Sequence, residues 1–454
     1  MSTLLVKNAA VLVTMDGARR EIHDGGMYVV DGFIEQVGPS ADLPQTADRV
    51  LDMKGHVVLP GLVNTHHHFY QTLTRAVPGT QDAGLFDWLT TLYPIWERMT
   101  AEHIRVSTKV ALAELALSGC TTAFDHLYLF PNDSRLDDEI EAARDVGLRL
   151  HASRGSMSLG KSQGGLPPDS VVETEDEILS DTQRVIEAYD DPSRGSMIRV
   201  VVAPCSPFSV TDDLMRESAD LARATGTRLH THLAETMDED AFCLETSGMR
   251  PVELAESLGW EGNDVWFAHG VFINDAEIAR MTEAGTGVAH NPSSNMRLAS
   301  GIAPVRKYLA AGVPVGLGVD GSASNDGSNL LAEARQAMLL ARLDAAPNQS
   351  GGELMTVRTA LEIATLGGAA VLGRDDIGSL SPGMAADFIA LDMSKLEYAG
   401  AHGDMVAATL LAAPTTVSHN YVGGKAIVTD GQLVNLEMEP IIERHNELAA
   451  TLLI

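Results

Sequence analysis

Between Val57 and about Leu340 the sequence repeats one pattern of apolar and polar positions. A short apolar run ends in a polar or Gly-rich tip, a longer segment of helical period follows, and then the next apolar run begins. Near-continuous apolar runs of this kind are typical of parallel strands that are buried on both faces of a sheet. The pattern predicts eight strands: VVLPGLVNTHHH (57–68), TTAFDHLY (121–128), LRLHASRG (148–155), IRVVVAPC (198–205), RLHTHLAE (228–235), DVWFAHG (264–270), GTGVAHNP (285–292) and VPVGLGVDG (313–321).

The segments between these runs have the spacing of amphipathic helices. AEHIRVSTKVALAELALSG (101–119) and DLMRESADLARATG (213–226) are two examples, and each ends near a glycine. Eight strands that alternate with helices make up a (β/α)₈ barrel, in which catalytic groups lie at the carboxyl ends of the strands. We therefore expect an α/β fold built on a TIM barrel.

The two ends of the chain have a different pattern, in which short strands are separated by turn signals. Such signals recur in residues 3–55 and again in residues 376–436, where Asp-Gly and Gly-Gly pairs follow short apolar runs. The two flanks also resemble each other, as LLVKNAAVLVTMDG near the start and HNYVGGKAIVTDGQLV near the end show. We expect residues 1–55 and 370–454 to form one small β-sandwich domain, into which the barrel of residues 56–369 is inserted.

The charge balance narrows the class of partner. The chain of 454 residues has 62 acidic against 32 basic side chains, so its formal net charge is −30. Such a surface repels nucleic acids and anionic membranes, and it weakly favours a neutral or cationic small substrate. We expect a small-molecule substrate and a homo-oligomeric protein, with neither nucleic acid nor membrane as a partner.

Cysteine usage and the N-terminal segment indicate the compartment. The three cysteines, Cys120, Cys205 and Cys243, are far apart and odd in number, which does not suit a disulfide framework and fits a reducing cytosol. The segment MSTLLVKNAAVLVTMDG lacks the basic and apolar regions of a signal peptide. No apolar run reaches the roughly 18 residues that a membrane span needs. The expected location is the cytoplasm.

Histidines gather at the predicted strand ends. Because alternate residues of a strand share one face, His66 and His68 point together into the barrel mouth and His67 points away. His230 and His232 repeat this spacing. Eight of the 15 histidines lie at or just before strand ends: His66, His67, His68, His126, His230, His232, His269 and His290.

Two carboxylates complete this picture. Glu235 lies three residues after His232, and Asp320 lies at the tip of the eighth run. Neutral imidazoles and carboxylates are ligands for zinc or ferrous iron. Ligand-type residues on four strand ends favour a metal site over separate hydrogen-bonded core histidines. We interpret His67, His126 and His151 as packing or supporting residues.

The segment GLGVDG (316–321) also matches the dinucleotide pattern G-x-G-x-x-G after a strand. No helix opens directly behind it, because the polar loop SASNDGS follows. We therefore expect its glycines to let a crowded backbone pass the metal site rather than to bind a nucleotide.

With these residues in view, the chain resembles the amidohydrolase superfamily, in its deaminase and chlorohydrolase branch. The resemblance covers nearly the whole length of the chain. The motifs that carry it are PGLVNTHHHF (60–69), HLAE (232–235), FAHG (267–270), HNPSSN (290–295), GVDGSASND (318–326) and IGSLSPGMAADFIALD (377–392).

The resemblance implies a metal site and a set of catalytic residues. It assigns one Zn²⁺, with Fe²⁺ as the second candidate, to four ligands: His66, His68, His232 and Asp320. It also makes Glu235 the acid and base that serves the ring nitrogen and the leaving ammonia, Asp320 the acceptor of the water's proton, and His269 a stabiliser of the tetrahedral adduct. One metal is expected rather than two. Binuclear members usually carry a lysine on strand four that bridges the metals, and APCSPF (203–208) contains no lysine.

Two alternatives to a deaminase remain open at this point. One is a barrel that binds metal without catalysis, against which the presence of both Glu235 and Asp320 argues. The other is a chlorohydrolase that acts on s-triazines. Some such enzymes have lost one of these two carboxylates because chloride needs less help from protons, so their presence here favours an amine as the leaving group.

The residues that follow the three consecutive histidines, His66 to His68, indicate the class of substrate. Gln71 gives the spacing H-x-H-x-x-Q of guanine deaminases, where that glutamine binds the purine edge, but Cys205 stands where those enzymes carry an arginine. The chain is more similar to the 8-oxoguanine deaminase group, which shares HHH-x-Y-Q-x-L-T-R and a loop like residues 153–170. This resemblance implies deamination of 8-oxoguanine to urate and ammonia, with Gln71, Arg154 and His269 at the substrate. Deaminases of S-adenosylhomocysteine and methylthioadenosine are the alternative.

Overall fold

The strands form two separate sheets. The computed structural model describes residues 1–344, 355–413 and 416–453. The strands are β1 (Thr3–Val13), β2 (Glu21–Val30), β3 (Phe33–Pro39), β4 (Arg49–Asp52), β5 (His56–Pro60), β6 (Leu62–Asn64), β7 (Cys120–Leu127), β8 (Arg149–Ser156), β9 (Ile198–Pro204), β10 (Arg228–Leu233), β11 (Val265–His269), β12 (Gly287–His290), β13 (Val315–Leu317), β14 (Phe388–Asp392), β15 (His419–Val422), β16 (Lys425–Thr429) and β17 (Gln432–Leu433).

Helices follow the barrel strands in order along the chain, and a 3₁₀ segment, Phe69–Thr74, follows β6. The α-helices are α1 (Leu85–Trp96), α2 (Ala101–Leu117), α3 (Leu136–Val146), α4 (Glu175–Tyr189), α5 (Asp212–Thr225), α6 (Met237–Ser247), α7 (Pro251–Ser257), α8 (Asp275–Ala284), α9 (Pro292–Arg297), α10 (Val305–Ala311), α11 (Leu330–Leu343), α12 (Val357–Glu362), α13 (Gly368–Val371), α14 (Met405–Leu411) and α15 (Met438–Leu452). Within the residues that the structure describes, none of these helices is long and apolar enough to cross a membrane.

Strands β6 to β13 close into an eight-stranded parallel barrel, which confirms the predicted TIM barrel. The local signals act as expected in α5. The Thr211 side chain accepts a hydrogen bond from the Leu214 amide at the start of the helix, and Gly226 ends it at a φ of +71°. Both helices predicted at 101–119 and 213–226 are present, as α2 and α5.

The remaining strands come from both ends of the chain and form one mixed nine-stranded sheet. Its order is β17-β16-β15-β14-β5-β1-β2-β3, and β4 pairs with β1. The first predicted barrel run divides between the two sheets. Its first part, β5, pairs with β1 and β14 in the mixed sheet, whereas β6 enters the barrel.

The mixed sheet packs tightly on the barrel. Asn420 on β15 donates hydrogen bonds of 2.8 Å to the carbonyls of Ala116 and Cys120, which lie at the end of α2 and the start of β7. Buried Arg149 at the start of β8 forms an ion pair with Asp387, which directly precedes β14. The sheet and the barrel therefore share a buried polar interface. The domain boundaries at residues 55 and 370 stay a prediction.

Candidate active site

Four of the predicted site residues meet at the carboxyl ends of the barrel strands. His66 and His68 follow β6, His232 lies near the end of β10, and Asp320 follows β13. The Nε2 atoms of His66 and His68 lie 3.4 Å and 3.3 Å from Asp320 Oδ1. The Nε2 atoms of His68 and His232 lie 3.1 Å apart. The four side chains therefore face a common point.

Backbone carbonyls fix the tautomers of two of these histidines. His68 Nδ1 lies 2.7 Å from the carbonyl oxygen of His126, and His232 Nδ1 lies 2.7 Å from that of Cys205. A carbonyl oxygen only accepts hydrogen bonds, so each Nδ1 carries the proton. Each Nε2 then presents a lone pair to the common point.

His66 obtains the same tautomer through a second histidine. His230 Nδ1 donates to the Trp266 carbonyl at 3.0 Å, so His230 Nε2 is an acceptor. It accepts from His66 Nδ1 at 2.9 Å, which leaves the lone pair of His66 on Nε2. That buried Nε2 has no hydrogen-bond partner. The two hydrogen bonds from His66 to His230 and from His230 to the Trp266 carbonyl therefore orient His66 toward the site, as supporting residues of metal-binding histidines do.

The donor set fits a divalent metal ion. Three lone pairs and a carboxylate oxygen that face each other at 3.1 to 3.4 Å repel one another unless a cation lies between them. Zinc ligands at about 2.0–2.1 Å from the metal in a tetrahedron are about 3.3 Å apart, which agrees with these distances. Burial lowers the pKa of His66 to about 3, which keeps the ring neutral, as a ligand must be.

Glu235 and His269 lie beside this cluster. Glu235 follows β10, is buried, and accepts a hydrogen bond of 3.2 Å from Ser300 Oγ. Its Oε2 is 3.5 Å from His269 Nε2. His269 Nδ1 donates to Asn295 Oδ1 at 2.9 Å, which orients the ring. Burial raises the pKa of Glu235, so this carboxyl group holds a proton more readily than an exposed glutamate does.

Three residues of the site adopt left-handed backbone conformations. Ala234, His269 and Asp320 have φ values of +55°, +73° and +62°. Side chains with a Cβ atom rarely adopt such angles, which cost of order 1–3 kcal/mol each. Strained corners of this kind cluster at functional sites, because the surrounding structure must enforce them. Here they turn the chain sharply where strands β10, β11 and β13 reach the site.

A partly open pocket lies over the cluster. Apolar side chains of α1 form much of its wall, and Trp88 is anchored there because its Nε1 donates to the Ala323 carbonyl at 3.1 Å. The contribution of α1 to the site is not evident from sequence, because its apolar pattern is that of an ordinary core helix. The pocket is lined by His68, Gln71, Leu85, Trp88, Leu89, Tyr93, Tyr128, Cys205, Ser206, Phe208, His232, Glu235, His269, Leu298, Asp320 and Ser324.

Two lining side chains carry polar atoms without a protein partner. Gln71 is buried and its Oε1 accepts from the Ala323 amide at 3.3 Å, but its Nε2 has no partner. The hydroxyl of Tyr93, which is also fully buried, has none either. Buried polar groups are usually paired, so these two atoms are available to a ligand. No sequence signal marks Tyr93, because it lies on α1 rather than at a strand end.

Arg154, in contrast, lies outside this pocket. Its guanidinium group is buried in ion pairs of 2.7 Å with Glu173 and Asp181, and it stacks on Phe130 at 3.9 Å. It also donates to the Gly155 carbonyl at 2.7 Å. Most of its donors are thus already engaged, as expected for a residue that anchors the polypeptide after β8.

The loop that follows Arg154 is joined to its neighbour by backbone hydrogen bonds. The amides of Ser158 and Leu159 both donate to the Ser209 carbonyl at 3.0 Å. This places the Gly-rich loop beside residues 206–210, and none of its side chains lines the pocket.

The histidines that we interpreted as supporting residues lie around the cluster rather than within it. His67 points away from the common point, where its Nε2 lies 2.9 Å from Ser328 Oγ. His126 lies 2.9 Å from the Ala203 carbonyl through Nε2, and its ring stacks on that of His232. His151 is buried within β8.

Comparison with known proteins agrees with this geometry. Residues 57–433 match the Amidohydrolase family. The 8-oxoguanine deaminase of Pseudomonas aeruginosa is 48% identical over 456 residues, a match that covers 100% of both chains. Hydroxydechloroatrazine ethylaminohydrolase of Pseudomonas sp. (strain ADP) is 38% identical, over 97% of this chain and 94% of that one.

A solved structure extends the similarity to the whole fold. The crystal structure of atrazine chlorohydrolase from Arthrobacter aurescens TC1, complexed with zinc, superposes with a TM-score of 0.94. The two sequences are 34% identical, and the match covers 98% of this chain and 100% of that one. With a family match across most of its length and a full-length relative that is 48% identical, the chain belongs to the amidohydrolase family.

Proposed function

We propose that this protein is a hydrolase that removes an amino group from an aminopurine base, and that its substrate is 8-oxoguanine, which it converts to urate and ammonia. The observation that carries the proposal is the buried Glu235 carboxyl group, 3.5 Å from His269 and beside a cluster of four convergent ligand atoms. A site that only binds metal needs no such group. The 48% identity to an 8-oxoguanine deaminase over the whole chain supports this substrate.

The proposed cofactor is one Zn²⁺, held by His66, His68, His232 and Asp320, with Fe²⁺ as the second candidate. The tautomers of the three histidines and the spacing of the four atoms support this ligand set. When bound, such an ion lowers the pKa of its water to about 7 and so makes a nucleophile available at neutral pH. The zinc in the related atrazine chlorohydrolase structure supports the choice of metal.

Glu235 is the proposed proton carrier. Deamination requires a proton on the ring nitrogen next to the reacting carbon, and later a proton on the departing ammonia. A buried carboxyl group with a raised pKa can supply the first and shuttle the second. The hydrogen bond from Ser300 to one oxygen leaves the other oxygen free to face the substrate and His269.

Asp320 and His269 are proposed to act on the attacking water. Asp320 Oδ1 accepts a hydrogen bond of 2.7 Å from the Gly321 amide, which holds the carboxylate in place. Its Oδ2 lies 3.9 Å from His269 Nε2, on the side where a proton from water can be taken up. His269, held by Asn295, can hydrogen-bond to the oxygen that adds to the ring.

Gln71 and Tyr93 are the proposed contacts to the purine edge. The free Nε2 of Gln71 is a donor for a carbonyl or ring nitrogen of the base, and the Tyr93 hydroxyl both donates and accepts. The apolar walls of α1 suit the faces of a flat ring. Arg154 is not retained among the proposed contacts, because its guanidinium is engaged by Glu173 and Asp181.

A second candidate function is hydrolysis of an amino-substituted s-triazine. The 38% identity to hydroxydechloroatrazine ethylaminohydrolase favours it, and the same acid and base would serve the departing amine. An amine is the leaving group in both candidate functions. They differ in the heterocyclic ring of the substrate, which the pocket wall selects.

Steady-state kinetics on a substrate panel test the proposal. The panel contains 8-oxoguanine, guanine, adenosine, S-adenosylhomocysteine and an amino-s-triazine. We expect the highest kcat/KM for 8-oxoguanine, with guanine much poorer. An adenosine compound that is better by tenfold or more would show that the pocket is built for a nucleoside, and a triazine that ranks first would establish the second candidate.

We further propose a cytoplasmic location and a homo-oligomeric state. The three cysteines are all buried and unpaired, as in proteins of reducing compartments. Size-exclusion chromatography with light scattering tests the oligomeric state directly, since a mass of 48.4 kDa would identify a monomer.

A further inference from the structure

The start of α6 contains a capping pattern that the structure uses in an unusual way. Thr236 and Glu239 form the sequence T-M-D-E, which predicts a capping box, in which the glutamate accepts from the amide of the N-cap residue. The same pattern, T-E-D-E, begins α4. There it behaves as predicted, since the Thr174 amide donates to Glu177 Oε2 at 3.2 Å.

Glu239 reaches past its N-cap residue instead. Its Oε1 accepts from the Ala234 amide at 2.8 Å and its Oε2 accepts from the Glu235 amide at 2.9 Å. The side chain is fully buried, and burial raises its pKa to about 7 although the two amides oppose this shift. A single carboxylate thus holds two consecutive peptide amides, those of Ala234 and Glu235. We call these two hydrogen bonds of Glu239 the clasp.

The same corner is held from its other side by the polypeptide that follows His269. The Ala234 carbonyl accepts hydrogen bonds of 2.9 Å from the amides of both Val271 and Phe272. Ala234 and His269 both have positive φ values, so each needs support from its surroundings. The clasp and these two bonds connect the strained corner before Glu235 to the strained corner at His269.

We infer that Glu239 is a positioning residue, which sets the Glu235 carboxyl group against His269 by holding the two peptide amides at the Ala234 corner. This rests on the proposed role of Glu235 as proton carrier. Glu239 does not line the pocket, so it acts through the backbone and not by contact with substrate. A carboxylate is needed because two adjacent N–H donors require two acceptor atoms in one plane.

Glu239→Gln tests this inference with a minimal change. The amide keeps the size of the side chain but replaces one acceptor by a donor, which then faces a peptide N–H. We expect kcat for the best substrate to fall about 10- to 100-fold, as misplacement of a catalytic group by about 1 Å does. The KM and the metal content should stay within about twofold of the wild type, because neither pocket wall nor ligands change.

Glu177→Gln is the matched control. It makes the same change in the same capping pattern, but on α4 and away from the site, so its kcat should equal that of the wild type. Glu239→Asp is the second variant of the clasp. It keeps the negative charge but places it about 1.5 Å, one bond length, farther from the two amides. We therefore expect a smaller loss of kcat than in Glu239→Gln.

A double-mutant cycle separates positioning from general damage. If Glu239 acts through Glu235, then Glu239→Gln in the Glu235→Gln background should lower kcat by less than about twofold further. The inference is overturned if Glu239→Gln lowers kcat in the Glu235→Gln background by the same factor as in the wild type. It is also overturned by a normal kcat in both Glu239 variants, a loss of metal that matches the loss of kcat, or aggregation of both variants, which would assign the clasp to folding. Full activity of Glu235→Gln alone would instead refute the proposed role of Glu235.

Discussion

The tautomer of each proposed ligand is set by a group that does not touch the metal site. Two backbone carbonyls and one neighbouring histidine take the Nδ1 protons of His68, His232 and His66. The three lone pairs then converge beside the Asp320 carboxylate. Supporting groups of this type tune metal affinity by about 10- to 100-fold in other sites.

His66→Ala should abolish stoichiometric metal binding, because it removes one of the three convergent lone pairs. Elemental analysis of the purified variant measures this directly. His67→Ala is the control within the same triplet, since His67 bonds to Ser328 and faces away from the cluster. A His66→Ala protein that retained both its metal and its activity would refute the ligand assignment.

Glu235→Gln should keep the metal and lower kcat by about 100-fold or more, the usual contribution of a positioned acid or base. The amide preserves the size of the side chain and its bond to Ser300 but carries no transferable proton. Kinetics at substrate saturation, with metal content measured on the same sample, provide the test. Full activity would make Glu235 a packing residue.

At this scale the sequence predicted the residues that obey strand geometry. The prediction placed five side chains at one barrel mouth because alternate positions of a strand share a face and strand ends share a mouth. The structure brings these side chains together, namely His66, His68, His232, Glu235 and Asp320. The role of Arg154 was not predictable in this way, because its partners Glu173 and Asp181 come from a loop and a helix whose paths no periodicity gives.

Among the elements, the eight barrel strands and the helices between them follow from the apolar pattern. The division of the first run between two sheets does not, because residues 57–63, which span the division, carry no polar side chain. Gly61 marks the division, since a Cβ atom there would lie 2.1 Å from Thr121 Oγ1. The contribution of α1 to the pocket is equally hidden, because a buried face gives the same pattern whether it covers a core or a cavity.

The glycines of GLGVDG, at the end of β13 and directly after it, make room for neighbouring side chains. A Cβ atom on Gly318 would lie 2.7 Å from the Cβ atom of His66 and 2.4 Å from the side chain of Asn291. Its neighbours Gly316 and Gly321 are crowded by Thr65 and Gln71 in the same way. The segment therefore packs directly against His66, the first of the proposed ligands.

Gly318→Ala should displace His66 and lower both metal content and kcat, with an overpacking cost of about 1–3 kcal/mol. Gly327→Ala, in the same loop, meets no atom within 4 Å and serves as the control. Thermal unfolding and elemental analysis of the two variants report the difference. Equal metal content and equal kcat in both would show that the backbone at Gly318 has room to spare.

Across the whole molecule, the sheet from both chain ends holds the barrel through buried polar contacts. Arg149 and Asp387 form a two-pronged ion pair at 2.7 and 3.0 Å, and Asp387 also accepts from the Gly423 amide at 2.7 Å. This one carboxylate thus joins β8 of the barrel to β14 and β15 of the sheet. The likeness of the two flanks predicted a common domain, but the pattern of apolar positions gives no information on such cross-links.

Asp387→Asn should destabilise the protein by about 3 kcal/mol, because it removes the charge of the carboxylate that pairs with the buried Arg149 guanidinium. Asp375→Asn removes the partner of Arg194 in an ion pair that is largely exposed, and should cost at most about 1 kcal/mol. Urea denaturation of both variants gives the comparison. An equal, small effect would mean that the barrel and the end sheet do not depend on this pair.

Turnover in ¹⁸O-labelled water is the decisive test of hydrolytic deamination of 8-oxoguanine. We expect one urate and one ammonia for each 8-oxoguanine consumed, with a single ¹⁸O atom in the urate at the carbon that carried the amino group. We also expect Glu235→Gln to slow the appearance of both products equally. Absence of urate, or urate that contains no ¹⁸O, would refute hydrolytic deamination of 8-oxoguanine.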